Sequence, residues 1–163
     1  LEDPYHFWYI GKSYFDSTLG DYPLGMDHIK EYARRSIFYF AQYLNFKHEY
    51  HITGQSKGLD ELGYFAFYAM GDMYKLCGNY EKALDCGMRA EEFAPLRNEH
   101  IVLQAECFKD LGDFESMKAQ TDRLMSADRK LPFPEFNFLL NMEHYNDSGK
   151  YCEQLHNIAI QST

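Results

Sequence analysis

HEYH, residues 48–51, is the closest approach to a metal motif in this 163-residue chain: His48 and His51 bracket Glu49. At a spacing of three, two histidines on a helix share a face and can supply two ligands. No third ligand is identifiable, so a polar helix end, where histidine also suits the dipole, is the favoured reading and no metal site is expected. Four cysteines, Cys77, Cys86, Cys107 and Cys152, are widely spaced without a CxxC pair. No histidine is set beside any of them to make a nucleophile, so small apolar filler is the reading their positions favour. Asp60–Glu61 and Glu91–Glu92 are adjacent carboxylates at helix ends, which point apart instead of sharing a proton. No D-x-D metal motif occurs, and no strand-like run leads into a glycine-rich turn. The aromatic start, with Tyr5, Phe7, Trp8, Tyr9, Tyr14 and Phe15, has two readings. It is a stacking platform for a sugar or peptide, or it buries against a later helix carrying Ile37, Phe38, Phe40 and Tyr43. Burial is favoured, because that helix is apolar on more than one face.

The elements that hold these residues follow a repeat. Gly78 and Gly112 stand 34 positions apart, and around them Gly71/Ala105, Tyr74/Phe108, Asn79/Asp113 and Tyr80/Phe114 keep the same register. Met142, Tyr145, Gly149 and Tyr151 continue the pattern after three extra residues, and Gly11 and Tyr14 begin an earlier, irregular copy. Four helix pairs are therefore predicted, over about 4–47, 60–97, 98–131 and 132–160, forming one all-α domain. In the second pair, Phe67, Met70, Gly71 and Tyr74 mark one helical face from a start near Asp60. Gly78 ends that helix and Asn79 caps the next. Leu84 and Met88, with Ala83 and Ala90, continue the apolar stripe, and Pro95 stops it. The small residues Gly71, Ala83 and Ala90 are expected where helices cross closely.

Gly71, Tyr74, Gly78, Tyr80, Ala83, Ala90 and Pro95 together resemble a tetratricopeptide repeat over a full unit, with a fainter likeness through residues 98–131. Gly87, where that family prefers an aromatic, and Met117, in place of the alanine equivalent to Ala83, depart from it. The resemblance implies antiparallel helix pairs stacked as a right-handed α-solenoid. Gly11, Gly71, Tyr74, Gly78, Ala83, Ala90, Pro95, Gly112 and Gly149 are its structural repeat positions. Residues 36–46, the stretch from Asp60 to Leu84, the joint Ala90, Pro95, Arg97, Glu99, and Leu131–Pro134 are also similar to the helical region following family-2 glycosyltransferase domains. That likeness implies the C-terminal part of a transferase whose catalytic domain lies elsewhere, leaving this chain without catalytic residues, metal or cofactor.

Composition sets the remaining bounds. Apolar residues form 45% and aromatics 17%, enough for a packed core. The net charge of −9 disfavours nucleic acid and anionic membranes as partners. No apolar run reaches the ~18 residues a membrane span requires, and the cysteine pattern fits a reduced, cytoplasmic setting. The start at Leu1, without methionine, fits an excised domain. In a helical array the first helices line a concave face. By register that lining comprises Trp8, Lys12, Phe65, Tyr68, Asp72, Lys75, Val102, Glu106, Lys109, Leu139 and Glu143. The expected function is a non-catalytic scaffold whose partner is another protein, its own catalytic domain or a second copy. The alternative is a free-standing adaptor binding peptides or proteins in that groove.

Overall fold

The computed structural model describes residues 4–20, 25–51 and 58–125, with side chains described outside 47–60. Among the described residues every element is an α-helix and no strand occurs. The helices are α1 (Pro4–Thr18), α2 (Met26–His51), α3 (Gly58–Leu76), α4 (Tyr80–Phe93), α5 (Glu99–Asp110) and α6 (Phe114–Leu124). They fall within the stretches expected for the first three pairs or overrun them by a few residues; the expected fourth, with Gly149, lies outside the described residues. The chain divides into two compact units, Leu1–Pro95 with α1 to α4, and Leu96–Thr163 with α5 and α6.

In the first unit each helix packs on the one before it, and α1 also touches α3. Pro4 opens α1, where a fixed φ and a missing N–H cost nothing. Gly25 starts α2, its carbonyl accepting from the Ile29 N–H at 3.2 Å. The α1–α2 crossing is built on Gly11. A side chain there would meet the Phe40 ring at 3.1 Å, and Ser36 Oγ donates to the Gly11 carbonyl at 2.8 Å. With Ala33 also fully buried, the two backbones approach over a patch of small residues. The core then fills with rings and sulfur: Trp8, Phe15, Phe40, Tyr43, Met70, Met73 and Cys86, with Ala66 and Ala69 between them. Trp8 Nε1 donates to the Leu62 carbonyl at 3.0 Å, which ties α1 to α3 and satisfies a buried polar atom.

The repeat is visible in its turns. Gly78 and Gly112 both hold the left-handed conformation, at φ 81° and 76°. The Gly78 N–H donates to the Lys75 carbonyl and the Asn79 N–H to that of Tyr74, both at 2.9 Å. One repeat later, Gly112 donates to Lys109 at 3.0 Å and Asp113 to Phe108 at 2.9 Å. This is the paired-bond helix stop that places glycine just past the last turn. The next residue then starts a new helix: Asn79 Oδ1 accepts from the Lys82 N–H at 3.3 Å, and Asp113 Oδ1 from the Ser116 N–H at 3.1 Å.

Gly71, Ala83 and Ala90 are buried, as their small size led one to expect. Met88 corrects the expected stripe. It is exposed, and α4 instead buries Ala83, Cys86, Gly87 and Ala90. Positions 83, 87 and 90 recur at four and three and so share one face, while Met88 lies a further 100° around the helix. In the second unit Met117 packs on Ala105 with Phe108 alongside, so the larger residue at the alanine position is accommodated within the core.

Candidate functional site

The cysteines and carboxylates form no reactive constellation among the described residues. Cys86 is buried in the apolar core of the first unit, and Cys107 is buried on α5 of the second. Cys77 is half-buried just past α3, and burial raises its thiol pKa, against the weaker lowering influence of Arg34 and Lys30. A thiol held protonated is a poor nucleophile. Tyr74 is likewise raised, by burial first. No group of three or more His, Cys, Asp and Glu is placed to hold a metal ion among the described residues. The side chains of His48, His51 and Asp60, and Cys152, lie outside them. Glu61 and Glu92 are exposed and Glu91 is half-buried.

The residues expected on the concave face separate into groups. Trp8 is only 7% exposed, and Phe65 is half-buried with its ring edge-on to Phe15 and Phe40, at centroid distances of 5.6 and 6.0 Å. Both belong to the core of the first unit. Lys12, Tyr68, Asp72 and Lys75 are half-buried on α1 and α3. Their ion pairs, Lys12–Asp16 at 2.7 Å and Lys75–Asp72 at 3.5 Å, each stay within one helix. Val102, Glu106 and Lys109 are half-buried on α5 of the second unit. Leu139 and Glu143 lie outside the described residues.

A different surface is organised by aromatic rings. Phe7 stacks on Phe46 at 5.5 Å and on Tyr39 at 6.4 Å, and Tyr14 stacks on Tyr39 at 6.0 Å and tilts against Tyr32 at 5.8 Å. The result is a continuous strip, Phe46–Phe7–Tyr39–Tyr14–Tyr32, along the joint of α1 and α2. All five rings are half-buried. Arg35 lies over Tyr14 within the strip, its guanidinium 5.6 Å from the ring centre. Hydrogen bonding to Tyr14 first, and to Glu31 second, raises the Arg35 pKa. At the edge, Phe38 meets Tyr39 edge-on at 5.3 Å while remaining 56% exposed, and Ile10 is also exposed.

The strip has a sequence signal that function-first reading passes over. Phe7 and Tyr14 are seven apart, and so are Tyr32, Tyr39 and Phe46. Seven residues are nearly two helical turns, so each set forms one line, and two such lines meet when the helices pack. Two arginines on α2 share one carboxylate. Arg34 and Arg35 both reach Glu31, at 3.1 and 3.2 Å.

Comparison with known proteins adds no assignment. No family model matches the chain, and neither a curated protein nor a solved structure matches it. Among the described residues no helix is long and apolar enough to cross a membrane.

Proposed function

We propose that this chain is a non-catalytic helical-repeat scaffold that mediates protein association, its helix pairs stacked in the manner of tetratricopeptide repeats. The observation that carries the reading is the aromatic strip along α1 and α2 with Phe38 standing open at its edge. An apolar aromatic edge with a polar surround is the composition of a protein-binding surface rather than of a catalytic cleft. Two further features support it. The turn after α3 recurs after α5 bond for bond, which is what a repeat array requires. Among the described residues, the titratable groups with shifted pKa values are explained by burial, capping or surface pairing, with no acid–base or nucleophile–base pair among them.

The likeness to the helical region after family-2 glycosyltransferase domains supports reading the scaffold as the companion of a transferase domain. On this reading the chain by itself transfers no sugar. A purified sample incubated with nucleotide-sugar donors and divalent metal is expected to release no nucleoside diphosphate. Turnover abolished by a single substitution within the described helices would overturn the non-catalytic reading.

A further inference from the structure

We draw no further inference here: the strongest candidate, the aromatic strip of Phe7, Tyr14, Tyr32, Tyr39 and Phe46 along the joint of α1 and α2, belongs to the surface already described, and nothing in the structure shows what covers it.

Discussion

Replacing Gly11 with alanine sets two known effects against each other at one atom. The added Cβ would stand 3.1 Å from Cδ2 and Cγ of Phe40 and 3.2 Å from Cδ1. Carbon pairs settle near about 3.5–4.0 Å, so the ring must retreat by roughly half an ångström. Phe40 is fully buried and is held by Trp8 and Phe65, with ring centres at 6.1 and 6.0 Å. Overpacking of this kind costs about 1–3 kcal/mol. Alanine in place of a mid-helix glycine returns about 0.8–1.0 kcal/mol. The net expectation for Gly11→Ala is a loss between roughly zero and 2 kcal/mol. In a Phe40→Leu background the flat ring is gone, and the same alanine should stabilise by about 1 kcal/mol through its helix preference. Urea unfolding of all four proteins, followed by circular dichroism, closes the cycle. A coupling of about 1 kcal/mol or more is expected for residues in direct contact. If Gly11→Ala stabilised both backgrounds equally, the close approach of α1 and α2 would not be what requires glycine there.

The two turn glycines give a paired prediction. Neither Gly78 nor Gly112 has anything within 4 Å of an added Cβ, so alanine at either site should cost only the left-handed backbone penalty, about 1–2 kcal/mol, with asparagine costing less. Equal stabilities of wild type and alanine variants in thermal unfolding would refute this. Asp113 predicts a pH effect. The Ser116 hydroxyl, and then the Ser116 N–H, hold its carboxyl below the ordinary value. Its contribution is therefore full above the unfolded pKa of about 3.9 and is lost as pH falls through the lower folded value. Asp113→Asn, which caps without titrating, should flatten the acid limb of a stability–pH curve; an unchanged limb would contradict the assignment.

Local structure was the most legible part of the sequence. Gly78, Asn79 and Pro95 act through their own backbone and nearest turns, so their chemistry predicts a stop, a cap and a boundary without tertiary information. The all-helical class followed from the recurrence of those signals at a fixed period. Trp8 and Phe65 were harder, because repeat register places a residue on a helix face without saying how deeply a neighbour covers that face. Here the α1–α2–α3 packing encloses both in one aromatic cluster. Met88 failed for a similar reason: hydrophobicity suggested burial, but the small residues Ala83, Gly87 and Ala90 define the packed face of α4. The aromatic strip arises between two helices, and only their contact turns the separate seven-residue spacings on α1 and α2 into one surface.

The most direct test of the association reading is sedimentation over a rising concentration series, comparing the chain with Phe38→Glu and Tyr9→Glu. Phe38 and Tyr9 are 56% and 62% exposed, so a charge at either should leave the fold intact, but only Phe38 borders the strip. The wild-type chain is expected to gain mass with concentration, Tyr9→Glu to behave alike, and Phe38→Glu to stay monomeric. A wild-type chain that remains monomeric throughout, or association that survives Phe38→Glu unchanged, would contradict the claim that the scaffold self-associates through this aromatic face.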